Sequence, residues 1–226
     1  MKDDNRDALF AADVSVLSDD PLFEAAYARA SEERKRKTDR YRFRADQNAS
    51  LGAELLLSIA LDQFGIREIA YSYGKAGKPY LAGNDGVLFS LSHSGSFVLC
   101  AVSEHEIGAD IETVRSTDLK VAKRFFCPNE YKHIAAQETE EAKRELFFRY
   151  WTLKESFLKA TGLGLQLPLD RFEILLKDDI SVVQNVDSRS YCFREFDGIP
   201  DYKCAVCTVD APFAAELQTV NIRDFL

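Results

Sequence analysis

No apolar run in this sequence approaches the roughly 20 residues that a bilayer-spanning helix needs, so no membrane segment is expected. The start, Met1-Lys2-Asp3-Asp4, lacks the basic stretch and apolar core of a secretion signal. Cysteine is scarce, five residues at irregular spacing. An odd count of this kind argues against a disulfide framework and fits a reducing cytoplasm. Positive charge is in deficit: 29 lysines and arginines face 37 aspartates and glutamates, a net −8. That balance argues against general nucleic-acid binding. Histidine occurs three times, and His105 and His133 sit in polar surroundings that read as surface. What is present is ordinary for a soluble globule, 46% hydrophobic and 29% charged over 226 residues. That length allows one large or two small domains.

A helix around residue 150 organises the chain. Leu146, Tyr150, Leu153 and Phe157 recur at spacings of four, three and four, which puts them on one apolar stripe. Glu155 and Lys159 sit one turn apart on roughly the opposite side, with Lys154 flanking. Gly162 and Gly164 offer a left-handed stop, and Pro168 prevents resumption. The helix is predicted over about 140–161.

Upstream, residues 8–17 read as a strand, and Ser18-Asp19-Asp20-Pro21 starts a helix running towards Arg34. A second helix covers 46–64. Strands are predicted at 66–73, 87–91, 97–103 and 107–112. Ser92-His93-Ser94-Gly95 reads as a short polar turn. Helical pieces follow at 118–126 and from Pro128, and the last strands lie near 171–176, 180–185, 191–196 and 202–209. This order suggests two similar halves, 1–105 and 106–226, with Cys100-Ala101-Val102 echoed by Cys204-Ala205-Val206.

Two clusters carry chemistry. Residues 34–44 are basic at seven of eleven positions, either a solvated helix face or an anion site. In Ile107-Gly108-Ala109-Asp110-Ile111-Glu112 the strand period of two sends Asp110 and Glu112 to one face. If Glu155 joins them, three carboxylates without a basic partner repel one another, and a divalent cation removes that problem. All-oxygen donors favour Mg²⁺ or Mn²⁺ over zinc. A solvent-facing strand edge is the plainer reading of the same pair. His93, taken alone, reads as a satisfied loop histidine. Cys204 and Cys207, three apart in a strand, project to opposite faces and read as core thiols.

Leu91-Ser92-His93-Ser94-Gly95, Ile107-Gly108-Ala109-Asp110-Ile111-Glu112 and Trp151-Thr152-Leu153-Lys154-Glu155-Ser156 resemble the three ordered motifs of the 4′-phosphopantetheinyl transferases. The likeness is to the long, surfactin-synthetase-activating (Sfp-type) branch. Gly77-Lys78-Pro79, Arg124-Phe125-Phe126 with Glu130-Tyr131, and Gly164-Leu165-Gln166-Leu167-Pro168-Leu169-Asp170 match as well, and the similarity runs from about 31 to 209.

The resemblance implies an α+β pseudo-dimer of two similar α/β lobes, with the active site between them. Its N-terminal lobe (1–105) would take the coenzyme A 3′-phosphate and adenine. Its C-terminal lobe (106–226) would hold the metal and dock a carrier. The implied reaction moves the phosphopantetheine arm of coenzyme A to a serine of an apo acyl, peptidyl or aryl carrier protein, releasing adenosine 3′,5′-bisphosphate. Asp110, Glu112 and Glu155 would hold Mg²⁺, and Lys154 and Lys159 would offset phosphate charge. Glu155 or Glu112 would take the serine proton. Arg34, Lys37, Ser92 and His93 match positions that grip the 3′-phosphate and its surroundings in the family, and Lys78 and Ser50 match further coenzyme A contacts. The position before Ser50 is often Arg in relatives and is Ala49 here, a gap that Arg44 could fill. The expected enzyme is cytoplasmic and monomeric. Two alternatives use the same residues: another Mg²⁺-dependent phosphotransfer or phosphodiester-cleaving enzyme, or a non-catalytic coenzyme A- or carrier-binding module.

Overall fold

The run Ala8-Leu9-Phe10-Ala11-Ala12 has no polar break, and it is buried on both faces as strand β1 (Ala8–Asp13). β1 is the first element in a computed structural model that describes residues 6–226. The acidic start Met1-Lys2-Asp3-Asp4 lies outside the described residues. Helices α1 (Asp20–Arg29), α2 (Glu32–Thr38) and α3 (Arg44–Asp62) come next. Strands β2 (Tyr71–Tyr73), β3 (Pro79–Leu81), β4 (Leu88–Ser94), β5 (Phe97–Ser103) and β6 (Ile107–Thr113) follow. Then come α4 (Lys120–Phe125), α5 (Pro128–Ala135) and α6 (Glu140–Thr161). Strands β7 (Glu173–Leu176), β8 (Ile180–Val183), β9 (Tyr191–Phe196), β10 (Tyr202–Val209) and β11 (Leu217–Thr219) close the chain.

This is an α+β fold in two units. The first comprises the chain up to Ser72 together with 79–104 and 214–226; the second comprises 73–78 and 105–213. One of the steps between them falls at 104/105, one residue before the expected 105/106 boundary. Segments 73–78 and 214–226 each belong to the unit that the linear order would not assign them.

In the first unit the sheet order is β11-β1-β5-β4, with β1 parallel to β11 and the other pairs antiparallel. Helix α3 packs within the same core through Leu56, Leu57, Ala60 and Leu61, all 0% exposed. Each of the three leucines is worth about 1.5–3 kcal/mol when fully buried, so this face fixes the helix. Local chemistry shifts several predicted boundaries. The predicted helix towards Arg34 breaks at Ala30, because Ser31 caps a new helix by accepting from Arg34 N. The strand predicted over 66–73 shortens to β2. Ser92, His93 and Ser94 are strand, not turn: β4 and β5 pair as far as Ser94↔Phe97, and Gly95 (φ 56°) supplies a two-residue hairpin loop.

The second unit sets α6 against an antiparallel sheet ordered β6-β10-β9. Thr139 caps α6 by accepting from Ala142 N at 3.0 Å, and Gly162 ends it at φ 71°. Leu153 and Phe157 of the predicted stripe are fully buried. Cys204 and Cys207 lie in β10 as buried free thiols. No helix among the described residues is long and apolar enough to cross a membrane.

Candidate active site

Gly108 lets α6 come down onto β6. The strand period that pairs Asp110 with Glu112 puts Gly108 on the same face. A Cβ there would lie 1.9 Å from the Ser156 carbonyl oxygen and 2.4 Å from Ala160 N. The helix backbone therefore rests where a side chain would stand, and Glu155 and Lys159 are carried alongside the strand carboxylates. The glycine was visible in the sequence; its task as a spacer was not.

Asp110 is 4% exposed, and its Oδ1 accepts from Lys159 Nζ at 2.7 Å. Lys159 also donates to the Ala109 carbonyl at 2.9 Å. Burial pushes the Glu155 carboxyl above the usual glutamate value; Asp110 and Glu112 add to the shift and Lys159 opposes it. The three acids thus share one electrostatic neighbourhood. Among the described residues no three His, Cys, Asp or Glu side chains gather as an ion would require; Asp110 closes on the Lys159 ammonium instead. The donor set is carboxylate oxygen on a strand and a long helix, with an ammonium standing where positive charge is needed. In donor chemistry, though not as placed, those residues suit a hard divalent cation such as Mg²⁺.

Lys154, predicted beside the phosphates, is turned the other way. It is 0% exposed, donates to the carbonyls of Leu169 (2.9 Å) and Phe172 (2.8 Å), and pairs with Glu130 Oε1 at 2.8 Å. All three ammonium hydrogens are thereby used. Glu130 also accepts from the backbone N–H of Cys127 and of Ile174, both at 2.8 Å. Burial pushes Glu130 up and Lys154 down, each opposed by the other's charge. Lys154 is a latch joining α5, α6 and the turn before β7, not a ligand contact. Nothing in local spacing announces a partner 24 residues upstream.

Arg34, Ser50 and Lys78, among the predicted nucleotide contacts, are equally committed. Arg34 is 7% exposed and bonds Glu54 and Tyr71, whereas Lys37 is exposed. Ser50 is buried and accepts from Thr38 Oγ1 at 2.9 Å. Arg44 does not fill the gap at Ala49: it bonds Asp20 and the Leu17 carbonyl, and its guanidinium carbon lies 3.5 Å from the Phe23 ring centroid. Ser92 is buried and His93 exposed, as strand alternation dictates. Lys78 Nζ lies 2.6 Å from Glu106 Oε2 and 3.1 Å from the Ile107 carbonyl. Burial lowers its pKa, and Glu106 opposes the shift. Glu54 and Glu106, which hold predicted cations, were missed because each is distant in sequence from its partner, and for the same reason the pairing of Glu130 with Lys154 was not foreseen. A groove of about 700 Å³ in the first unit, lined by Arg29, Leu51, Ile59 and Phe225 among others, includes none of the predicted site residues.

Residues 106–207 match the family model of the 4′-phosphopantetheinyl transferase superfamily. A Bacillus subtilis 4′-phosphopantetheinyl transferase is 34% identical over 204 residues, which cover 88% of this chain and 91% of that protein. The 4′-phosphopantetheinyl transferase Sfp of Bacillus subtilis (strain 168) is 34% identical over 201 residues, covering 87% and 89%. The 4′-phosphopantetheinyl transferase HetI of Nostoc sp. is 43% identical over 133 residues, 55% of each chain.

Proposed function

Because this chain belongs to the 4′-phosphopantetheinyl transferase superfamily, on its Sfp-type branch, we propose that it transfers 4′-phosphopantetheine from coenzyme A to a serine of an apo acyl, peptidyl or aryl carrier protein. The Ser Oγ–phosphorus bond forms, the pyrophosphate P–O bond breaks, and adenosine 3′,5′-bisphosphate leaves. The observation that carries this reading is the likeness to 4′-phosphopantetheinyl transferases over most of the chain; beside it, Asp110, Glu112 and Lys159 all act on the Glu155 carboxyl.

Attack on a diphosphate requires positioning and charge neutralisation more than covalent chemistry. Asp110, Glu112 and Glu155 would hold Mg²⁺, which when bound neutralises charge on the pyrophosphate oxygens. Lys159 supplies a second positive charge from the same helix. Glu155 or Glu112 accepts the proton of the serine Oγ. Lys37 and its basic neighbours take the 3′-phosphate, with Lys78, Ser92 and His93 as further coenzyme A contacts. Exposed Phe125 beside Arg124, with Lys120 and Lys123 on the same short helix, suits an acidic carrier helix. Five free cysteines fit a reducing cytoplasm, and we read the enzyme as a monomer.

Incubation with coenzyme A, Mg²⁺ and a panel of apo carriers tests the proposal. A carrier mass gain of one phosphopantetheine is expected. Unchanged carriers, with coenzyme A intact or hydrolysed, would overturn it.

A further inference from the structure

Lys203 belongs to no motif in the sequence, yet the pairing of β10 with β6 sets it beside one. In that antiparallel pair Cys207 stands opposite Gly108, Ala205 opposite Asp110 and Lys203 opposite Glu112. Register partners project to the same side of a sheet, with Cβ atoms about 4.5–5.5 Å apart. The side that carries Asp110 and Glu112 therefore carries Lys203 too, and it is the side on which α6 packs. Lys203 is the one lysine or arginine in these two strands.

A helix carboxylate holds its ammonium. Lys203 Nζ lies 2.6 Å from Glu145 Oε2 on α6, and the two side chains are 29% and 43% exposed. Glu145 precedes Glu155 by ten residues, about 15 Å along a helix axis, so it stands apart from the Asp110, Glu112 and Glu155 group. An ion pair this open to solvent is weak. The flexible four-carbon stem lets Lys203 trade Glu145 for Glu112 at little cost. Asp110 draws its cation, Lys159, from the helix; the neighbouring strand supplies one beside Glu112.

We propose that Lys203 and Glu145 are positioning residues that set how tightly the β6 and α6 carboxylates take a divalent cation. Lys203 acts through Glu112, because its ammonium competes with an arriving cation for that carboxylate. Glu145 acts through Lys203, because holding the ammonium limits the competition. The proposal rests on the metal reading above. A plain surface ion pair would behave differently: losing either member would leave cation binding unchanged.

The test is calorimetric titration of Mg²⁺ into wild type, Lys203→Gln, Lys203→Arg, Glu145→Gln and the double Gln variant, with folding checked by circular dichroism. Lys203→Gln should bind Mg²⁺ about three- to ten-fold more tightly, the scale of one like charge removed beside a partly solvated site. Lys203→Arg keeps the charge and should stay near wild type. Glu145→Gln releases the ammonium towards Glu112 and should weaken binding about three-fold or more. The double variant should match Lys203→Gln, since Glu145 has nothing to hold once the lysine is gone. A double variant midway between the two singles would mean that the charges act independently, and would overturn the coupling. Equal affinity in wild type, Lys203→Gln and Glu145→Gln would overturn the proposal and leave the metal reading standing. Absence of Mg²⁺ binding in wild type would overturn both.

Discussion

Lys154 and Glu155 are neighbours on one helix, and they face opposite electrostatic situations. Lys154 is fully buried, with a carboxylate and two carbonyls satisfying its three hydrogens. Glu155 is partly exposed and lies among like charges, its carboxyl raised by burial, Asp110 and Glu112. One side of α6 is a closed ion pair that holds the second unit together. The other keeps anionic charge in excess, relieved by Lys159 alone among the causes that act on Glu155. A region evolved only for stability resembles the first; a region that must accept a cation and a diphosphate resembles the second. Changes on the two sides should therefore differ in sign.

The largest effect is expected at the latch. Lys154→Met strands Glu130 in the interior and should cost about 3–5 kcal/mol in urea unfolding. Adding Glu130→Gln, which removes the stranded charge and keeps an acceptor oxygen for the Cys127 and Ile174 N–H groups, should recover part of it, and a double variant no better than the single would mean that the pair is not coupled. Asp110→Asn should leave the fold intact while lowering kcat by about 10²–10³, or roughly 3–4 kcal/mol of barrier, in a carrier-modification assay. Gly108→Ala places a methyl against helix backbone, so about 1–3 kcal/mol of stability should be lost along with turnover. Unchanged activity in that variant would remove the spacer argument.

The smallest effect has the opposite sign. Glu155→Gln should abolish turnover and raise stability at neutral pH by on the order of 1 kcal/mol, about 2–4 °C in Tm. The pH dependence follows from the raised carboxyl. Between the ordinary glutamate value and the raised folded one, the native state binds more protons than the unfolded chain, so stability falls as pH rises. The Gln variant lacks this slope. Its advantage should shrink below the ordinary glutamate value, and equal Tm at every pH would contradict the strain assigned to this side.

The site was legible in sequence wherever it depends on local period. Alternation put Asp110 and Glu112 on one face, the three-four spacing placed Phe157 inward, and Gly162 ended α6. It was illegible wherever a partner is remote. Lys154 sits in a helix pattern that gives no hint of Glu130, and Arg34 belongs to a run of exposed-looking cations whose buried member is chosen by Glu54 on another helix. Serines misled in a different way. Ser92 and Ser94 are turn formers by composition, but they extend β4 because Gly95 lets the hairpin close in two residues.

The most direct measurement is Mg²⁺ titration by calorimetry into wild type and Glu155→Gln, with folding of both checked by circular dichroism. One site is predicted in wild type, weakened at least roughly ten-fold in the variant by loss of a charged oxygen ligand. Equal affinity in the two proteins would contradict the claim that strand β6 and helix α6 jointly form a cation site.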